Sequence, residues 1–338
     1  MMKTRILVLI AGALLVMGTA CGDDSTGGGG NNGANNGANN GGNNGGNNGG
    51  NNGGNNGGNN GGNNGGNNGD NNRGTPPGDP VLPEPPGDLD TTPGQCNSAW
   101  LAWVTGWVVD AEGFPVEGAK AQLCVRQAGV DTVICLRPGD TDDKGVFTVT
   151  VPENNRCIVE GTFRVLVPNA DSSTSYCHFD PSNDAGFKKL STSFELHDTT
   201  RGTAAGADYM FDDGLVISGV SADHFPIGTE PETFAATRLG GSAADFCFLD
   251  GDVAAVYAFS PEFDVPVGEE YAVTIPNDSG LADGSSVDLY VLGGLTCTLS
   301  DGTHVEEGKW VNFGTGTVSG DSITSDDGVP CIGWLGYK

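Results

Sequence analysis

Apolar and polar residues alternate along most of the chain after residue 100, with the period of two that marks a β-strand half buried in a sheet. In VTGWVVD, Val104, Gly106 and Val108 take one face and Trp107 the other. Phe147, Val149 and Val151 alternate through FTVTV, and residues 163–168 (FRVLVP) form another short strand. The Glu112-Gly113 and Asp143-Lys144-Gly145 turns punctuate these runs, and the second predicts a hairpin over 141–152. Further on, apolar runs recur at 215–220, 246–249, 253–259, 271–275, 287–292 and 310–313. Asp250-Gly251, Asn277-Asp278, Asp283-Gly284 and Asp301-Gly302 separate several of them. No long stretch repeats every 3.6 residues, so no helix is expected. The pattern predicts an all-β protein: a sandwich over about residues 95–180 and a second β-sandwich or jelly-roll-like unit over about 190–338.

The first 94 residues read differently. Residues 27–70 hold 21 Gly, 20 Asn, two Ala and one Asp, with no larger apolar side chain to bury. Such a segment cannot form a core and is expected to be disordered. A Pro-rich stretch, TPPGDPVLPEPPGDLDTTP, follows over 75–93 and should be stiffer, with polyproline character. Residues 21–94 therefore read as a tether, and residues 22–94, if wholly flexible, would reach roughly 45–50 Å. An Asn-rich aggregating tract is the competing reading, opposed by the Gly that breaks every NN pair.

Residues 1–20 have the build of a secretory signal peptide: Lys3 and Arg5, an apolar run over 6–17, then small residues. The apolar run is too short to span a bilayer. Gly18-Thr19-Ala20-Cys21 resembles the lipobox of bacterial lipoproteins, with Gly18 where that family usually has Leu. The resemblance implies cleavage before Cys21, a diacylglyceryl group on its thiol and acylation of the new amine. Two or more acyl chains hold a protein firmly on a membrane where one does not. Gly22 in place of Asp implies, by the sorting rules of that family, export to the outer membrane, with display at the cell surface as the expectation; ordinary cleavage after Ala20 is the alternative.

Cysteine count bears on that choice. There are nine Cys, and removing Cys21 leaves eight: Cys96, Cys124, Cys135, Cys157, Cys177, Cys247, Cys297 and Cys331. An even set suits disulfides in an oxidising compartment. Five fall in the first unit and three in the second, so full pairing requires a bridge between units. Cys124 and Cys135 flank a turn near Gly129-Val130 and are expected across adjacent strands. Cys157 and Cys177 bracket the 163–168 strand and are expected to pair, leaving Cys96 to reach the second unit. Zinc is disfavoured, because there is no CxxC and His178, His197, His224 and His304 are scattered.

The pattern from Gly106 to Ala119, followed by Thr141 to Phe147 (TDDKGVF), resembles the carboxypeptidase regulatory-like domain. That family implies a transthyretin-like, Ig-type sandwich over about 75 residues and a non-catalytic appendage. The C-terminal segment KWVNFGTGTVSGDSITSDDGVPCIGWLGYK is similar to those of surface lipoproteins from myxobacteria-like lineages.

A formal net charge of −28, with 15 Lys and Arg against 43 Asp and Glu, excludes a phosphate-binding surface and nucleic acid as a partner. The chain lacks G-x-S-x-G, H-E-x-x-H and G-x-x-x-x-G-K motifs. Asp140, Asp142 and Asp143 invite a calcium reading, but Lys144 and Val151 stand at EF-hand ligand positions, and a turn needs these residue types anyway. Glu269-Glu270 and Glu306-Glu307 are read as solvated surface on so acidic a chain. No catalytic residue, metal ligand or cofactor is assigned. Trp107, on the face away from the core, is the one candidate ligand-binding residue, set against packing of Trp100, Trp103 and Trp107 at a junction. The expectation is a non-catalytic, lipid-anchored outer-surface module binding a protein or glycan. A carbohydrate-binding module using exposed aromatics, and a hydrolase, are the alternatives.

Overall fold

The computed structural model describes residues 73–338 apart from 95, 97, 131, 169, 180–185, 270 and 295–296. The expected signal peptide, Cys21 and the Gly/Asn tract lie outside the described residues. The described chain is all-β, with short 3₁₀ turns such as Glu153–Asn155 and no α-helix among the described residues.

Two sheets make the first sandwich. In one, strand Lys120–Gln127 pairs with Cys157–Leu166, which also carries Ser175–Phe179 on its other edge. In the other, Trp103–Asp110 lies against Val146–Thr150 and takes Phe187–Lys189 and Phe194–Leu196 as parallel partners. Alternation sets the core: Val104 and Val108 from one strand and Phe147, Val149 and Val151 from its neighbour meet Leu123, Phe163 and Val165 of the facing sheet.

The expected 141–152 hairpin is a corner instead. Gly139–Asp140 pairs with Lys120 and Ala121 in one sheet, while Val146–Thr150 pairs in the other. Asp142 turns the chain between them: its Oδ1 accepts from the Lys144 and Val146 amides, each at 2.9 Å. Asp110 repeats the device, accepting from the amides of Glu112 and Phe114. These carboxylates are occupied by backbone, which explains the D-x-x-G spacing without a cation.

The second unit is one eleven-stranded antiparallel sheet that wraps a single core. Its order runs from Thr200–Arg201 through Ala235–Leu239, Ala255–Asp264, Cys331–Tyr337 and Ser286–Leu292 to Trp310–Ser319, and on to Thr203–Ala205 at the far edge. Strand Cys331–Tyr337 is buried along its whole length. Leu335 and Tyr337 face the sheet's own core, whereas Trp334 faces the first sandwich. Burial on both sides accounts for the unbroken apolar run CIGWLGY. The 246–249 run, expected as a strand, is instead a turn-rich loop, held in place by its phenylalanines and a disulfide.

Residues 68–338 form one compact unit. A third hydrophobic cluster, including Tyr176, Phe246, Phe248, Leu249 and Trp334, joins the two sandwiches. Around it, Trp334 Nε1 donates to the Thr174 carbonyl at 2.7 Å, Arg164 meets Glu262 at 3.0 Å and Lys309 meets Glu160 at 2.8 Å. The Pro-rich segment, expected as free tether, lies along the first sandwich. Arg73 pairs with Asp110 at 2.5 Å, Lys189 with Glu84 at 2.6 Å, and Arg156 donates to the Asp90 carbonyl at 3.1 Å.

Candidate functional site

A cleft of about 650 Å³ opens where the two sandwiches meet. One wall comes from strand Phe194–Leu196. Phe194 and Leu196 point into the first core, so period-two alternation turns Ser193, Glu195 and His197 outward into the cleft. The strand is fixed by its parallel ladder to Val108, Val109 and Asp110, and His197 is held at both backbone groups by Ser173.

The opposite wall is the 239–253 loop of the second unit. Val253 N donates to the Gly241 carbonyl at 2.7 Å, and Asp252 Oδ1 accepts from the Ala243 amide at 2.8 Å, closing the loop. Any side chain at position 241 would collide with the Val253 carbonyl, so the closure requires glycine there. Cys247 is bonded to Cys177 on the first sandwich, which places Phe246 and Phe248 against Trp334 with ring centroids 5.6 and 5.1 Å away. Trp334 is the floor.

Titratable groups collect on this aromatic base. His197 Nδ1 lies 3.5 Å from Glu195 Oε1, and the imidazole centroid lies 6.1 Å from Phe246 and 6.3 Å from Trp334. Burial holds the His197 pKa below its ordinary value, against a weaker opposing pull from Asp198, so the ring is neutral at neutral pH and offers one donor and one acceptor. Glu195 is shifted upward, first by burial and then by the charges of Asp245, Asp110 and Glu112. A largely buried aromatic base with a neutral imidazole, two carboxylates and hydroxyls at the rim suits a neutral polyhydroxylated or peptidic ligand, held by hydrogen bonds and apolar edge contacts rather than by ion pairing.

A smaller cavity of about 370 Å³ lies elsewhere on the junction, lined in part by Arg164, Asp223, His224, Glu262 and Asp264. Glu262 Oε2 accepts from Arg164 and from the Tyr176 hydroxyl, at 3.0 and 2.8 Å. Burial raises the Asp264 pKa, with His304 and Arg164 opposing.

Trp107, expected on an exposed face, does point away from the core, but only 6% of it is exposed. Pro76, Pro77 and Pro80 stand over that face. Trp103 is buried against Phe187, and Arg156 lies over the Trp100 ring at 5.9 Å. Cys124 and Cys135 bond across adjacent strands, as expected. Cys177 pairs with Cys247 rather than Cys157, so the link between sandwiches comes from Cys177 and not from Cys96. Cys297 pairs with Cys331 inside the second unit. Cys96 and Cys157 both lie beside Ser98. Glu307, read as solvated, is only 7% exposed. It belongs to the one three-donor cluster found among the described residues, with Cys124 and Cys135, whose sulfurs are bonded to each other and carry no thiolate for a metal.

Glu195, His197, Asp245 and Trp334 were not singled out from the sequence. Glu195 and His197 carry one readable signal, the F-E-L-H alternation. Their meeting with Asp245 and Trp334 depends on the Cys177–Cys247 pairing, which no spacing rule gives. No protein family and no curated protein matches this chain.

Proposed function

We propose that this protein is a non-catalytic lipoprotein, anchored to the outer membrane through Cys21, whose disulfide-stapled body presents the junction cleft to a glycan or protein ligand. The observation that carries the reading is the cleft itself: about 650 Å³, floored by Trp334 and Phe246 and rimmed by Glu195, His197 and Asp245. That volume is in the range of small-molecule and short-oligomer sites. The lipobox-like Cys21 and the long tract before residue 73 are the features that favour membrane anchoring and display.

The test is binding of the processed chain to arrays of envelope and extracellular polysaccharides, together with pull-down from envelope extracts. Binding should fall at least tenfold in His197→Ala and in Asp245→Asn, with melting temperature unchanged. Binding that ignores both substitutions removes the cleft from the reading. Mass spectrometry of the processed N-terminus should find an acylated Cys21; an unacylated amine removes the anchor.

A hydrolase is the second reading. The carboxylates Asp223, Glu262 and Asp264 and the imidazole of His224 line one cavity, and a buried carboxyl with a raised pKa is the kind of group that serves as a general acid. Glycosidase turnover abolished by Asp264→Asn would establish it in place of the first.

A further inference from the structure

The Pro-rich segment has a structural partner that the sequence did not suggest. It runs from Arg73 to Thr91 along the first sandwich without a strand ladder, turning once where Leu89 N donates to the Pro86 carbonyl. Its ends are secured. Arg73 sits 5.0 Å over the Phe114 ring and pairs with Asp110, while Lys189 holds both the Leu82 carbonyl, at 3.2 Å, and Glu84. The stretch between those anchors is held more loosely. Pro76, Pro77 and Pro80 arch over Trp107 and leave a cavity of about 550 Å³ between themselves, Trp107 and Pro115. Val81, beside the arch, is 96% exposed.

We infer that the face of Trp107 is a receptor groove for a proline-rich peptide supplied in trans by another protein, and that residues 76–80 are its weak occupant in cis. Three observations argue this. The segment already seated there is proline-rich, and an extended proline helix on an aromatic groove is a recurrent recognition mode, favoured because the peptide is ordered before it binds. The occupant does not fill the groove, so a peptide with bulkier side chains gains apolar contact that the cis segment lacks. In both ion pairs securing the cis segment the partner from that segment, Arg73 or Glu84, is exposed, and pairs open to solvent contribute little and weaken with salt. What keeps the cis segment seated is its covalent linkage, which gives a local concentration on the order of millimolar. Release would have a mechanical result. The freed residues 73–91 would add about 60 Å of extended chain to the tether, at about 3.1 Å per residue, so ligand capture would lift the body further from its anchor. This inference does not rest on the junction cleft and survives its failure.

The experiment uses the full processed chain and a fluorescent synthetic peptide, RGTPPGDPVLPEPPGDLDTT, followed by anisotropy. The triple variant Pro76→Gly, Pro77→Gly, Pro80→Gly weakens the cis occupant and should bind the peptide at least tenfold more tightly than the unaltered chain. Adding Lys144→Trp, at an exposed position on the groove's rim outside the junction cleft, should reverse that gain with the melting temperature unchanged. Absence of binding to the triple variant overturns the inference, as does equal binding by both chains or indifference to Lys144→Trp. Sedimentation showing a dimer of the unaltered chain that dissociates in the triple variant overturns the foreign-partner assignment in favour of exchange between copies.

Discussion

The carboxyl of Glu307 lies 3.3 Å from the sulfur of Cys135, across the junction between the sandwiches. A disulfide sulfur has no proton to give, so the contact is made by the protonated carboxyl donating to sulfur. The other carboxyl oxygen is buried without a hydrogen-bond partner. Burial drives the Glu307 pKa up to about 7, and Glu262 adds to the shift while Arg164 opposes it. Its surroundings favour the neutral acid, which prevails below about pH 7.

Stability should therefore fall with rising pH. The folded pKa stands above the unfolded one, so the folded state binds the proton more tightly. The contribution is complete below about pH 4.5 and is lost as pH rises through about 7. A shift of this size corresponds to at most about 3 kcal/mol. Denaturant unfolding at pH 5 and pH 8 should show the unaltered chain losing stability across that interval. Glu307→Gln should flatten the dependence and be the more stable protein at pH 8. A slope that persists in the variant assigns it to other groups.

Gly145 sits at φ +72° where the chain turns between the sheets of the first sandwich. A methyl there would run into the Val108 carbonyl oxygen, which accepts no displacement without loss of the strand pairing around it. Gly145→Ala should cost roughly 3 kcal/mol, combining the left-handed backbone penalty with the steric one. Gly118→Ala, also at positive φ but with open space around it, should cost only about 1 kcal/mol. Equal losses in the two variants would show that the Val108 contact is unimportant.

Local pattern made the first sandwich legible. Phe147, Val149 and Val151 alternate because one sheet face is buried, and Cys124 and Cys135 could be paired because a short turn separates them. Reading failed where distant residues decide the outcome. Phe246 to Leu249 has a strand's composition, yet it lies in a loop because Cys247 is tied to Cys177, a partner 70 residues away. Glu307 resembles any surface acid until Cys135, Arg164 and Glu262 are seen around it. Trp107 was placed correctly on its strand, but nothing in the pattern shows that prolines some 30 residues earlier return to cover it. The cleft belongs to this second class: its walls come from two sandwiches and its floor, Trp334, from the last strand of the chain.

Cutting the link between the sandwiches should loosen the cleft before it unfolds the body. A bridge closing 70 residues contributes about 4 kcal/mol in the chain-entropy account. The double variant Cys177→Ser, Cys247→Ser should lose most of that amount in denaturant unfolding. Amide exchange should quicken first in the 239–253 loop, which leaves its phenylalanines without a covalent hold. Uniform quickening across both sandwiches would mean that the loop is not separately stabilised by the bridge.

Cys96 and Cys157 are the remaining pair in the described body. Strand Ala99–Trp100 pairs with the start of Cys157–Leu166, setting Trp100 opposite Cys157 and bringing the chain just before it alongside. The Ser98 hydroxyl oxygen lies 3.7 Å from the Cys96 sulfur and 3.4 Å from the Cys157 sulfur, so one hydroxyl separates the two thiols. Two sulfurs beside one hydroxyl are the natural candidates for a further bridge under oxidising conditions. Non-reducing peptide mapping of protein purified without reductant should find Cys96–Cys157 beside the Cys124–Cys135, Cys177–Cys247 and Cys297–Cys331 bridges. The fourth link would fasten the end of the Pro-rich segment to the sandwich and make the body begin at Cys96. Alkylation of both thiols in protein purified without reductant would instead show that this end is held only by its short strand.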